Sequence, residues 1–231
     1  MMEENIQNIA KKIVEDGKGI LAADESTGTM TKRLESVNVV SNSENRLKFR
    51  NILFTSETMT NCIGGVILFD ETIKQSVKSE LISEIISKCN AVPGIKVDTG
   101  AKVFSSSKEE KITEGLDGLR ERLNEYYKLG ARFTKWRAVY KISKTYPSNA
   151  AVSANSHALA RYASLAQESG MVPIVEPEVL MDGDHDSTAC FNKTSEVIRK
   201  CFDELVQQKV DLKGVILKPN MILPGTNSKE K

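Results

Sequence analysis

Apolar residues recur along the chain in two alternating rhythms. Ile6, Ile9, Ala10, Ile13 and Val14 fall on one face at spacings of three and four, which predicts a helix that Gly17 ends. A short run with no polar positions follows at 19–23 and predicts a buried strand. Runs that likewise read as buried strands recur at 65–69, 95–97, 132–139, 172–175 and 214–217, with polar residues inside those at 95–97 and 132–139. Between them lie further helical stripes: Leu81, Ile82, Ile85, Ile86 and Cys89; Leu116, Leu119, Leu123 and Tyr126; Ala158, Leu159, Tyr162 and Ala166; and Val197, Ile198, Cys201, Phe202 and Leu205.

Strands that are largely apolar, each separated from the next by a helix, predict a parallel sheet covered by helices, an α/β fold. A nucleotide-binding open sheet would carry a glycine-rich phosphate turn after its first strand. Asp24-Glu25-Ser26-Thr27-Gly28 is neither G-x-G-x-x-G nor a P-loop. A (β/α)8 TIM barrel instead gathers its chemistry at the C-terminal ends of several strands, where this chain has its charges. Strand starts spaced by roughly 40 residues would need about 320 residues for eight units, and 231 residues accommodate six. The expectation is therefore a single domain over 1–231, a TIM barrel truncated after about six β/α units, with a polar tail from 227. Such a chain would leave its first and sixth strands without lateral partners, which favours association or aggregation.

Composition narrows the function. The chain is 40% hydrophobic and 27% charged with a formal net charge of +1, as in ordinary globular proteins, and gives no sign of a nucleic-acid or anionic-membrane partner. The longest apolar runs are far too short to cross a bilayer, and the first five residues lack a secretory leader's basic-then-apolar pattern; a cytoplasmic protein is expected. Cys62, Cys89, Cys190 and Cys201 are scattered without a C-x-x-C pair, so reduced thiols are expected. The two histidines, His157 and His185, are not at metal-ligand spacing. Asp182, Asp184 and Asp186 begin like a calcium loop, but Ser187 stands where that loop needs glycine and Lys193 where it needs glutamate. No metal and no cofactor are expected.

Charged residues two apart share a strand face. Lys96 with Asp98, Lys135 with Arg137, and Glu176 with Glu178 each close a predicted strand in this way, while Asp24 closes the first and Lys218 the sixth. One common face would be a mixed-charge lumen suited to anionic substrates and proton transfer. Pro219 biases Lys218 toward extended backbone, and a second cation nearby, such as Lys135, would favour the free amine that attacks a carbonyl.

These segments resemble class I fructose-bisphosphate aldolase, the metal-independent enzyme of glycolysis. The likeness is carried by 17–28, 64–69, 94–98, Lys135-Trp136-Arg137, 172–178, the Asp182–Asp186 loop and Leu217-Lys218-Pro219-Asn220-Met221, and it runs from the first helix to Gly225. The resemblance implies that Lys218 forms a Schiff base and that Glu176 is the principal proton acceptor, supported by Glu178, Asp24 and Lys135. It implies phosphate contacts from Ser26, Lys32, Arg33, Arg46, Lys96 and Arg137. A sugar-phosphate substrate, and a homotetramer for a complete chain, are implied in the same way. The family's barrel continues through two further strands and a tyrosine-bearing tail that these residues do not include. The alternative expectation is a non-catalytic aldolase fragment that binds sugar phosphates or protein partners without turnover.

Overall fold

A computed structural model describes residues 5–15 and 17–230. Met1–Glu4, on which the reading of the leader mostly rests, and Lys231, the last residue of the polar tail, lie outside the described residues. The first half of the chain runs α1 (Ile6–Ile13), β1 (Gly19–Ala23), α2 (Thr27–Glu35), α3 (Ser43–Phe54), α4 (Met59–Cys62), β2 (Ile63–Leu68) and α5 (Asp70–Ile73). Then come β3 (Ser76–Val77), β4 (Glu80–Leu81), α6 (Ile82–Lys88), β5 (Val92–Lys96), β6 (Ala101–Phe104) and β7 (Ser107–Thr113). The remainder is α7 (Leu119–Lys128), β8 (Phe133–Tyr140), α8 (Asn149–Glu168), β9 (Val172–Val179), α9 (Ser187–Gln207) and β10 (Ile216–Leu217).

The six strands read from the apolar runs form one parallel sheet in the order β1-β2-β5-β8-β9-β10. Strand and helix alternate along the sheet in sequence order, the arrangement of a TIM barrel, here with six strands. Among the described residues β1 and β10 each pair on one side only.

Three local differences from the expectation have identifiable causes. The helix expected to include Leu116 begins at Leu119, because Gly118 adopts φ +63 and interrupts the helical backbone. The sixth strand is two residues long and follows a 3₁₀ turn at Leu212–Gly214. The hairpin β6–β7 is absent from the apolar pattern because charged residues such as Lys102, Lys108 and Lys111 fill its exposed positions. Glu110 is its buried exception. It accepts hydrogen bonds from Ser148 N at 2.7 Å and Ser148 Oγ at 2.8 Å, which ties the hairpin to the start of α8.

The sheet has a different core on each face. Outward-facing Leu68, Ile95 and Trp136 pack under the helices with Ile86, Leu123, Leu159 and Tyr162, and the rings of Trp136 and Tyr162 stack at 5.4 Å. On the opposite face Ile67, Val92, Phe133, Val172 and Ile174 form a separate cluster that α1 closes with Ile9, Ala10 and Ile13. Phe133 shares its strand face with Lys135, and Ile174 shares its face with Glu176. The inner face is therefore apolar at the strand starts and charged at the strand ends.

Gly65 and Gly94 make room for the Phe133 ring, and a Cβ added at Gly94 would overlap three ring atoms. Gly94→Ala is therefore expected to destabilise the chain by about 1–3 kcal/mol, the usual cost of overpacking a filled core. Urea unfolding measures this. An unchanged midpoint would show that the ring has room to move.

Candidate active site

Asp24 follows β1, Lys135 lies on β8, Glu176 on β9 and Lys218 just beyond β10. The Lys135 ammonium is 3.0 Å from Asp24 Oδ2 and 3.1 Å from Glu176 Oε2. The other oxygen of Glu176 accepts from Lys218 Nζ. Carboxylate and ammonium thus alternate in an unbroken line of four groups. Strands β1 and β8 are separated in the sheet by β2 and β5, so a flat sheet would hold them about 14 Å apart. The contact between Asp24 and Lys135 therefore crosses the interior of a curled sheet.

Lys135 is almost fully buried. Burial opposes its charge, but the attraction of Asp24 and Glu176 outweighs that and holds its pKa above the ordinary lysine value. Lys218, by contrast, is half exposed at the open end of the line, with a side-chain exposure of 46%. Its backbone N–H donates to Val175 O at 3.0 Å. Asn220, two residues on, accepts from Val179 N at 3.0 Å and donates to Thr194 Oγ1 at 3.1 Å, fastening the short β10 to both β9 and α9. Sequence reading assigned Asn220 no role, since an amide after a proline carries no signal of which backbone group it meets.

At the Asp24–Lys135 end of this line lies a cleft of ≈ 400 Å³, bordered by Asp24, Ser26, Arg33, Lys96, Lys135 and Arg137 among others, while Glu176, Glu178 and Lys218 lie outside its lining. Each of its cations already has a carboxylate partner. Lys96 Nζ is 2.5 Å from Asp98 Oδ1, Arg137 pairs with Glu178, and Arg33 pairs with Glu25. Burial opposes the charge on Arg137, and Glu178 overcomes it, raising the pKa of an already strong base. Ser26 caps α2, accepting from Thr29 N at 3.4 Å.

Two sequence-predicted residues belong neither to the line of charges nor to the cleft and its ion pairs. Lys32 is exposed on α2 and does not line the cleft. Arg46 is buried in a two-pronged pair with Glu71 at 2.8 and 2.5 Å, which holds its guanidinium outside the cleft lining. Lys218 also differs from expectation in its neighbour, since a carboxylate, Glu176, stands between it and Lys135. His157 Nδ1 lies 3.1 Å from Glu204, and His185 is buried elsewhere. Among the described residues no three His, Cys, Asp or Glu side chains converge as a metal site would require, and no helix is long and apolar enough to cross a membrane.

A family model described as Fructose-bisphosphate aldolase class-I matches residues 5–231. The chain belongs to the class I fructose-bisphosphate aldolase family. It is 49% identical to a probable fructose-bisphosphate aldolase class 1 of Xylella fastidiosa, over 100% of this chain and 70% of that protein. It is 49% identical to fructose-bisphosphate aldolase C of Carassius auratus, over 96% of this chain and 62% of that one. With the cytosolic fructose-bisphosphate aldolase 4 of Arabidopsis thaliana the identity is 48%, over 93% of this chain and 55% of that protein. The fold agrees at TM-score 0.96 with a Plasmodium falciparum fructose-bisphosphate aldolase solved in complex with TRAP and a small molecule inhibitor. That protein is 43% identical, and the match covers 99% of this chain and 67% of it.

In this aldolase-family fold Lys135 bridges two buried carboxylates, Asp24 and Glu176. Lys135→Met leaves Asp24 and Glu176 without it and is expected to cost about 3–5 kcal/mol at neutral pH. The folded pKa of Lys135 lies above the unfolded one, so its contribution is complete below about pH 10 and lost as pH climbs through the raised value. Urea unfolding of both proteins should give a difference that is flat from about pH 6 to 9 and shrinks only in stronger alkali. A difference below about 1 kcal/mol would mean that water replaces the ammonium at little cost.

Proposed function

We propose that this chain carries the covalent chemistry of a class I aldolase, with Lys218 as the imine-forming residue and fructose 1,6-bisphosphate as substrate. The observation that carries this reading is the division of Glu176 between two lysines, one oxygen on buried Lys135 and the other on half-exposed Lys218. Membership of the family supports the reaction class, and the cation-lined cleft beside this pair supports a phosphorylated substrate.

The proposed steps are as follows. Lys218 gives a proton to Glu176, and its free amine adds to the C2 carbonyl of the sugar. Glu176 returns a proton as the carbinolamine loses water, leaving a protonated imine. Cleavage of C3–C4 sends its electron pair into that imine and forms an enamine. The C4 hydroxyl proton passes to Glu176, and glyceraldehyde 3-phosphate leaves. Protonation of the enamine at C3 and hydrolysis then free dihydroxyacetone phosphate and restore Lys218. Lys135, kept positive by its two carboxylates, holds Glu176 from behind and so keeps it beside Lys218. Ser26, Arg33, Lys96 and Arg137 are the proposed phosphate contacts. Cytosolic relatives in plants support a place in cytosolic glycolysis, and a homotetramer rests on the family resemblance alone.

Incubation with dihydroxyacetone phosphate and borohydride should reduce the imine to a stable amine, which peptide mapping is expected to find at Lys218. An adduct confined to another lysine would reject the assignment. Glu176→Gln is expected to lower kcat for cleavage by roughly 10²–10⁴-fold, and a near-normal kcat would remove Glu176 from the proton transfers. Cleavage should also persist in EDTA, whereas a loss restored by zinc would indicate a metal-dependent mechanism.

A further inference from the structure

Glu25, between Asp24 and the α2 cap Ser26, faces two arginines from different helices. Arg33 of α2 pairs with its Oε1 from the mouth of the cleft, and its side chain is 56% exposed. Arg50 of α3 approaches from the protein interior, with a side chain only 1% exposed. Arg50 Nη2 donates to the Glu25 main-chain oxygen at 2.6 Å and Nη1 to Thr72 Oγ1 at 2.7 Å. The same Nη2 lies 3.7 Å from Glu25 Oε2, too far for a hydrogen bond.

Two complementary groups are left unmatched here. Glu25 Oε2 and Arg50 Nε are both buried without a hydrogen-bond partner among the described residues. A buried guanidinium 3.7 Å from an unpartnered carboxylate oxygen is a poor arrangement, and a small rotation of the carboxylate toward Arg50 would bring Oε2 within hydrogen-bond reach of Nη2. The pull of Arg33 on the other oxygen holds the carboxylate back. Arg50 also anchors the Glu25 backbone, so the carboxylate can turn without moving the chain segment that bears Asp24.

We infer that Glu25 is an exchangeable counter-ion: it neutralises Arg33 in the empty cleft and closes on Arg50 when a phosphate monoester takes Arg33. This rests on the reading above only in taking Arg33 as a phosphate contact. The incoming phosphate need not strand a buried carboxylate, because Arg50 stands ready to receive it. On departure of the phosphate, Glu25 returns to Arg33 and competes for it. Glu25 thereby weakens phosphate binding and assists release, an effect opposite in sign to that of the cations around it.

The test is calorimetric titration of the chain with inorganic phosphate at neutral pH, for wild type, Glu25→Gln, Arg33→Ala and the double variant. Glu25→Gln should bind phosphate roughly five-fold tighter, the order expected for removing one partly exposed competing ion pair. Arg33→Ala should bind more weakly, and adding Glu25→Gln to it should restore little. Arg50→Gln should weaken binding, because Glu25 then has only Arg33 to hold; this sign is the reverse of that for Glu25→Gln. Unchanged or weaker binding by Glu25→Gln would overturn the exchange while leaving Arg33 a phosphate contact. An equal gain without Arg33 would overturn it too, pointing to general repulsion. Wild-type affinity in Arg33→Ala would instead remove the phosphate reading on which the exchange rests. The cycle between Glu25 and Arg33 decides the matter even if Arg50→Gln does not fold.

Discussion

The arrangement of this molecule turns on one buried ammonium. Lys135 bridges Asp24 and Glu176, which come from strands on opposite sides of the curled sheet, and the bridge lies where the apolar floor of the barrel ends. A lysine is seldom buried so completely without partners, because removing its charge from water costs several kcal/mol. Two carboxylates at hydrogen-bonding distance offset that cost, and they do so only if the sheet curls enough to bring β1 toward β8 and β9. Curvature and charge therefore depend on each other here.

The floor matters for the same reason. The plug formed by α1, Phe133 and the β-branched residues of β9 fills the inner face up to one residue pair below Lys135 and Glu176. The line of charges lies above this apolar floor, toward the strand ends. The consequence is a polarity along the line. Asp24, Lys135 and Glu176 are inside, and Lys218 meets solvent at the far end. On the reading proposed above, Lys218 has to be accessible to a carbonyl compound, and Glu176 beside it profits from being held from behind. The same fixed electrostatics, set before any substrate arrives, is what makes preorganised sites effective.

The rim follows a different rule. Arg33, Lys96 and Arg137 each have a carboxylate from their own neighbourhood, so the cleft is nearly neutral although it is rich in cations. A near-neutral cleft does not repel the rest of the protein, and it agrees with the chain's overall balance of charge. An anion entering it must displace partners rather than simply fill a positive field. The pairs differ in how readily they can yield: Lys96 and Asp98 are well buried, whereas Arg33 reaches solvent and its partner has a second arginine behind it.

Much of this was legible in the order of residues. Short apolar or largely apolar runs mark all six strands of the sheet, because a parallel strand covered on both faces tolerates charge only where its inner face opens toward the strand ends. The spacing of two between Lys135 and Arg137, and between Glu176 and Glu178, identifies a shared face by backbone geometry alone. The hairpin β6–β7 was not legible, since a solvated strand may carry charge at most positions. Nor was the partner of Arg46, which depends on Glu71 of a later helix, nor the meeting of Glu25 with Arg50. The sequence by itself determined which residues lie at strand ends and on which face, since that follows from a period of two. Tertiary structure alone decided that Glu176 separates Lys218 from Lys135, that Asn220 secures a two-residue strand, and that Arg50 reaches Glu25. These are contacts between segments distant in the chain, and their distances are set by how far the sheet curls and how the helices pack upon it.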